Sequence, residues 1–236
     1  MKLMSFNTQH CLNYLEQKVD YEIMAKAILD AEAHIIGLNE MFDGGENAKY
    51  GYQTKKLSEL TGIENYYFAK AIDDYEGPYG NGILSKIPFK SVETIIIPDP
   101  NPKRVKGGYY ETRCLLKAEL QNGLLVLITH FGLCIDEQEN AVKTILEHIR
   151  SEKCILMGDF NVTPDNELLA PIKAKMKDTS TGFCENKLSF PSDNPRIKID
   201  YIFVSPDIEI VNADIPEIIA SDHRPHIAEV KILHGF

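Results

Sequence analysis

The chain has no tryptophan, no C-x-x-C pair and no apolar run long enough to cross a bilayer. Its five cysteines (Cys11, Cys114, Cys134, Cys154, Cys184) are odd in number and scattered through 236 residues. That pattern excludes a disulfide scaffold and a thiolate zinc site, and suits reduced thiols in a cytoplasm. Cys114, Cys134 and Cys154, flanked by apolar residues, read as small core residues. Positive charge is also short: 25 Lys and Arg against 35 Asp and Glu leave a net charge of -10 and a pI near 5.2. A protein that grips nucleic acid mainly through charge should be basic, so a packaging role is excluded and nucleic acid is a disfavoured partner. Any phosphate must be won locally, by a metal ion or a small basic patch. The opening residues, MKLMSFNTQHC, carry one lysine and no long apolar core, so no signal peptide and no membrane association are expected.

What is present is ordinary globular material, 44% hydrophobic and 25% charged. The length fits one domain, 1–236, with a core large enough to need no disulfide or structural metal. Apolar patterning predicts strands at 2–6, 34–38, 66–71, 82–85, 92–97, 114–120, 124–129, 154–157, 199–204 and 227–232. Amphipathic helices are expected over 20–33, 49–60 and 137–150, the last with Ala141, Ile145 and Ile149 near helical spacing. Asn122-Gly123 is a strong hairpin signal between two of the strands. Hairpins together with helical crossovers imply mixed sheets, and two sheets packed face to face with helices outside would use every element.

The strands end in an unusual way. LMSFN stops at Asn7, HIIGLNE at Glu40, GLLVLITH at His130, and CILMGDFN at Asp159 and Asn161. Asp200 lies inside the apolar stretch IDYIF, and SDH places Asp222 and His223 before the last strand. Singly, each has an ordinary reading as a cap, a turn residue or a solvated strand end. Asp200 is the exception, because an ionised carboxylate among Ile199, Tyr201 and Ile202 needs a partner, and His223 can be one. The three consecutive residues of SDH cannot form a serine-hydrolase relay, and no G-x-S-x-G elbow exists. Asn7, Glu40, Asp159 and Asp222 are hard oxygen ligands that suit magnesium or manganese better than zinc.

The set FNTQH, LNE, YGNGILS, THF, GDFN, IDYIF and SDH, in that order from residue 5 to residue 223, resembles the endonuclease/exonuclease/phosphatase superfamily. The resemblance implies the deoxyribonuclease-I-like fold: a four-layer α/β/β/α sandwich of two mixed sheets with outer helices and the active site at one sheet edge. It implies hydrolysis of phosphate esters with a divalent metal, magnesium, for which manganese can substitute. Glu40, with Asn7 and Asp222, would hold the metal; Asp159 would orient or deprotonate water and Asn161 would position it. His130 and His223 would flank the phosphate, with Asp200 fixing His223. Asn81 and Arg113 would bind substrate.

The fold does not name the substrate. The loop 98–110, PDPNPKRVKGGYY, brings Lys103, Arg104 and Lys106 beside two glycines and two tyrosines, and is read as a phosphate-holding, ring-stacking loop. The acidic balance speaks against a repair nuclease, and the missing membrane hairpin against a secreted sphingomyelinase. The expectation is a monomeric cytoplasmic phosphodiesterase or phosphatase for a modest substrate. A metal-dependent nuclease is the alternative, and a silent phosphate-binding module the alternative of another class.

Overall fold

The computed structural model describes residues 1–45 and 49–232. In chain order it contains β1 (Lys2–Asn7), the short ribbon β2 (Leu12–Asn13) and β3 (Lys18–Val19), α1 (Tyr21–Ala31), β4 (Ile35–Phe42) and α2 (Gln53–Thr61). Then come β5 (Asn65–Asp74), β6 (Gly77–Ser85), β7 (Phe89–Ile96), β8 (Cys114–Leu120), β9 (Leu125–His130) and α3 (Ile135–His148). The chain closes with β10 (Cys154–Asp159), α4 (Ala170–Lys173), β11 (Lys177–Asp178), β12 (Asp200–Val204), β13 (Ile208–Asp214) and β14 (His226–Ile232).

Alternation along the strands builds the layers, since neighbouring residues point to opposite faces. Leu3, Ile35, Ile83, Leu116, Val126, Ile155 and Ile202 meet between two six-stranded sheets. Their chain neighbours Met4, Ile36, Leu84, Leu115, Leu127, Leu156 and Phe203 face outward. Met4, Ile36 and Leu84 are covered by Met24 and Ile28 of α1 and Leu57 of α2. Ala141 and Ile145 of α3 cover the other sheet. Strands apolar on both faces are therefore the consequence of lying in the middle of four layers, and each fully buried Leu or Ile contributes roughly 1.5–3 kcal/mol. The expected sandwich of two mixed sheets with outer helices is borne out.

One sheet runs β13-β14-β1-β4-β6-β5 and the other β11-β12-β10-β9-β8-β7. The elements differ from expectation mainly at their ends. β4 does not stop at Glu40: it continues to Phe42 through a bulge in which Asn39 and Glu40 oppose the single residue Asn81. β13 was not expected; Glu209, Asn212 and Asp214 hide the pattern of this edge strand, where charge guards an open ladder. α1 starts where Asp20 caps it, its carboxylate accepting from the Glu22 and Ile23 amides at 3.1 and 3.2 Å. Among the described residues no helix is long and apolar enough to cross a membrane.

Gly158 is required by its neighbours. Its φ is +149°, and a Cβ there would lie 1.9 Å from the Thr129 carbonyl oxygen of β9. The strand can deliver Asp159 only because this residue has no side chain. Gly158→Ala is expected to lower the unfolding free energy in urea by at least about 2 kcal/mol. A loss within about 0.5 kcal/mol, the range of neutral surface changes, would contradict the argument.

Candidate active site

Three strands of one sheet set the floor of the site. Asp159 of β10 pairs in register with His130 of β9 on one side and Asp200 of β12 on the other. The three side chains thus form a row at one sheet edge. Asn161 follows at φ +50°. Its backbone N–H donates to Asp159 Oδ1 at 2.9 Å and its Nδ2 to the Phe131 carbonyl at 2.9 Å. The other sheet brings Asn7 of β1 beside Asn39 of the parallel strand β4, and the bulge holds Glu40 at φ +59°. Left-handed backbone in a non-glycine residue costs about 1 kcal/mol or more, and here it turns Glu40 toward the opposite sheet.

Two amides join the sheets. Asn7 Nδ2 donates to Glu40 Oε1 and to Asp159 Oδ2, both at 3.0 Å, while its Oδ1 accepts from the Gln9 amide at 3.1 Å. Asn39 Oδ1 accepts from the Asp159 N–H at 3.0 Å, and its Nδ2 donates to the Thr129 carbonyl at 2.9 Å and Asn81 Oδ1 at 2.8 Å.

The partner expected for Asp200 is present: His223 Nδ1 lies 2.8 Å from Asp200 Oδ2, with both side chains buried. Burial alone would push the His223 pKa down, but the Asp200 and Asp159 carboxylates outweigh it and lift it to about 10. His223 is an imidazolium whose Nε2 stands 3.6 Å from Asp159 Oδ2, and the Phe190 ring packs on it at 4.8 Å. Burial pushes the Asp159 carboxyl up; His223 opposes this and Asp200 adds to it.

His130 is the opposite case. Burial, then the Arg113 charge, hold its pKa well below the ordinary imidazole value, so the ring is neutral. Arg113 Nη1 lies 2.9 Å from His130 Nδ1, and a guanidinium can only donate. Nδ1 therefore accepts and the ring proton sits on Nε2, which faces Asp159 Oδ2 at 3.6 Å and Glu40 Oε1 at 4.0 Å. Asn161 Nδ2 lies 3.2 Å from the same nitrogen and gives one of its two hydrogens to the Phe131 carbonyl.

These groups open into a cavity of about 450 Å³. Glu40, His130, Asp159, Asn161, Asp222 and His223 line its floor. Phe42, Tyr79 and His10 form one wall, with ring centroids 5.0–5.7 Å apart, and Phe190, Ile197 and Ile199 the other. Asp74, Tyr109, Glu111, Arg113 and Leu133 complete the lining.

Several sequence expectations change here. Asn81 does not line the cavity; its amide is taken up by Asn39 and by the Cys114 carbonyl at 3.0 Å, so its contacts are those of a strut rather than a substrate ligand. Arg113 lines the cavity, but its Nη1 is held by His130 and by Glu111 Oε1 at 2.7 Å. Asn7 faces the carboxylates with its amide nitrogen, donating to Glu40 and Asp159. The basic loop does not face the cavity. Arg104 pairs with Glu139 of α3, the Lys103 ammonium sits 4.5 Å over the Tyr110 ring, and only Tyr109 of that loop reaches the lining.

Sequence reasoning also missed residues. Asn39 was hidden as the middle letter of LNE. Gln53, wholly buried, accepts from the Phe42 N–H at 2.7 Å and donates to the His10 carbonyl at 2.6 Å, fixing two wall residues. A buried glutamine at the start of an amphipathic helix leaves no periodic signal. Glu111 carried none either, beyond its nearness to Arg113.

The donor set fits a hard divalent cation. Glu40, Asp159 and Asp222 face the cavity with Asp200 behind, against one imidazolium and one guanidinium that Glu111 already offsets. Burial raises the Asp222 pKa, and Glu40 adds to the rise against His223. Asp159, Asp200 and His223 also bring one ligand atom each within 4.8 Å of the others, close enough to hold a metal. The His223–Asp200 hydrogen bond, however, already occupies Nδ1 of that ring. Asp200→Asn should therefore lower the His223 pKa from about 10, because burial then acts with less opposition. Imidazole NMR would show it directly; a ring that still titrates near 10 would break the assignment of Asp200 as its counter-ion.

Comparison with known proteins agrees with this architecture. The model of the Endonuclease/Exonuclease/phosphatase family matches residues 135–223, the segment that holds Asp159, Asn161, Asp200, Asp222 and His223. No curated protein matches the chain closely enough to serve as a relative. A solved endonuclease/exonuclease/phosphatase from Beutenbergia cavernae is similar over 99% of this chain and 72% of its own, at 20% identity and a TM-score of 0.76. The mannosyl-6-phosphatase of Bacteroides thetaiotaomicron is similar over 98% and 99%, at 16% identity and a TM-score of 0.77. The catalytic domain of human Nocturnin is similar over 98% and 94%, at 14% identity and a TM-score of 0.72. The chain thus carries the deoxyribonuclease-I-like fold of the endonuclease/exonuclease/phosphatase superfamily, and the family's own model falls on the half of the site borne by β10, β12 and the loop before β14.

Proposed function

We propose that the chain is a divalent-metal-dependent hydrolase of phosphate esters, a phosphatase or phosphodiesterase for a small substrate. The observation that carries this is Glu40 of one sheet facing the His130–Asp159–Asp200 row of the other, with His223 held as a cation between two carboxylates.

Hydrolysis of a phosphate ester requires an in-line water and stabilisation of charge on the phosphoryl oxygens and the leaving group. Glu40 and Asp222, with Asp159 beside them, would hold a magnesium ion, which supplies Lewis-acid neutralisation of that charge. Asp159, with its raised pKa, accepts the proton of the attacking water, and Asn161 Oδ1 orients that water while its amide is anchored on Phe131. His223 donates from Nε2 to a phosphoryl oxygen, and Asp200 keeps it charged and aimed. His130, neutral with its proton on Nε2, is a second fixed donor that Arg113 holds in one tautomer. Fixed donors aimed at developing charge are the largest catalytic effect available to such a site.

A small monoester fits the closed floor of the cavity, and the Bacteroides neighbour named as a mannosyl-6-phosphatase supports that class. The nuclease alternative lacks the basic surface it needs at a net charge of -10. Five free, buried cysteines suit a reducing cytoplasm, where we place the chain as a monomer of a single domain.

Glu40→Gln and His223→Ala should each lower turnover at least about 100-fold while melting as cooperatively as the wild type. Release of p-nitrophenol from p-nitrophenyl phosphate and its diester, with magnesium, manganese or EDTA, checks this, and plasmid nicking separates out a nuclease. Unchanged turnover in either variant would sink the assignment.

A further inference from the structure

The outer half of the cavity does work that the phosphoryl chemistry does not require. Asp74, at the end of β5, and Glu111, before β8, line it together with Tyr109, whose hydroxyl donates to Glu111 Oε2 at 2.9 Å. Glu111, through that hydrogen bond and its charge, raises the pKa of the Tyr109 hydroxyl, and the Asp74 charge adds a smaller push in the same direction. Among the described residues no lysine lines the cavity, and its one arginine is paired with Glu111 at 2.7 Å. A metal ion at Glu40 and Asp222 would neutralise the floor but would leave Asp74 without a counter-charge.

This has a direct consequence for the part of the substrate that lies beyond the reacting phosphate. A second phosphate there would meet carboxylates and no free cation. An uncharged group bearing hydroxyls would find acceptors in Asp74 and Glu111 and a hydroxyl in Tyr109. It would also find the ring of Tyr109, which is 63% exposed, as a surface for the C–H face of a sugar or polyol. Carboxylates beside an exposed tyrosine make a surface for neutral polyhydroxyl groups, whereas nucleoside polyphosphates call for lysine or arginine.

Resting on the hydrolase reading above, we infer that the substrate is the monophosphate ester of a sugar or polyol, with Asp74 and Glu111 as the residues that reject a second anionic group. The reaction stays balanced as a hydrolysis. Water's oxygen forms a bond to phosphorus and the P–O bond to the sugar breaks. One proton of the water goes to Asp159 and on to solvent, the alkoxide takes one proton from solvent, and inorganic phosphate and the free alcohol leave.

The test compares phosphate release, with magnesium, from p-nitrophenyl phosphate, a panel of monophosphates (glucose 6-, mannose 6-, inositol 1- and glycerol 3-phosphate), glucose 1,6-bisphosphate and ADP. At least one monophosphate should exceed the bisphosphate and ADP by tenfold or more in kcat/KM. Asp74→Lys, at an exposed position that leaves the core intact, should narrow that gap at least threefold through KM, raising it for the monophosphate and lowering it for the bisphosphate. Equal or better use of the bisphosphate or ADP by the wild type would overturn the inference. So would an unaltered ratio in Asp74→Lys, or hydrolysis of p-nitrophenyl phosphate with none of the monophosphate panel; each of these leaves the hydrolase reading standing. Silence on every ester, p-nitrophenyl phosphate included, would remove the hydrolase reading and this inference with it.

Discussion

Asn39 makes two of its three side-chain hydrogen bonds across the gap between the two sheets. Its carbonyl oxygen takes the Asp159 N–H, and its amide nitrogen holds the Thr129 carbonyl and Asn81. Asn81 in turn reaches the Cys114 carbonyl, so the chain of amides runs from β4 and β6 into β8, β9 and β10. Apolar packing between sheets is non-directional and tolerates sliding, whereas a wholly buried amide that loses a partner costs roughly 1–3 kcal/mol per orphaned group. The strut therefore sets the alignment of the sheets at the one edge where it matters. Asn7 can bridge Glu40 and Asp159 at 3.0 Å to each because that alignment is already fixed.

The electrostatics follow from the same placement. Once Asp159 and Asp200 are adjacent on paired strands, two buried carboxylates repel, and a cation must join them. His223 fills that place, which is why its proton is held so tightly while His130, buried and beside a guanidinium, cannot gain one. Buried ion pairs seldom add net stability, because desolvation offsets much of the attraction. Lys198 shows the same cost just behind the site: almost fully buried, its ammonium makes no hydrogen bond, lies 3.5 Å from Asp178 Oδ2 and sits 3.5 Å over the Tyr201 ring. The arrangement makes sense as pre-organisation for charge that develops during a reaction.

Much of this was legible in the residues. Strands apolar on both faces announced buried sheets, and the polar residues at their ends carried the resemblance that implied one shared edge. Asp200 declared its need for His223 because an unpaired carboxylate in an apolar strand is costly. Other features were not legible, for physical reasons. The bulge at Asn39 and Glu40 depends on the register with β6, which no local pattern encodes, so β4 was expected to end at Glu40. The loop around Arg104 was read as phosphate-binding because its charge is visible in the sequence, while the Glu139 that takes up that charge sits 35 residues away on a helix. For Asn81 the resemblance implies a substrate ligand, and the same amide chemistry serves here to join Asn39 to the Cys114 carbonyl.

Titration of manganese(II) into the wild-type chain and into Asn39→Leu, with circular dichroism to show that both are folded, tests most directly whether the strut positions the site. Asn39 itself is no ligand in this account, and outer partners of this kind typically change metal affinity about 10- to 100-fold. The account predicts binding by the wild type and at least about tenfold weaker binding by the folded variant. Wild-type affinity in a folded Asn39→Leu would contradict it.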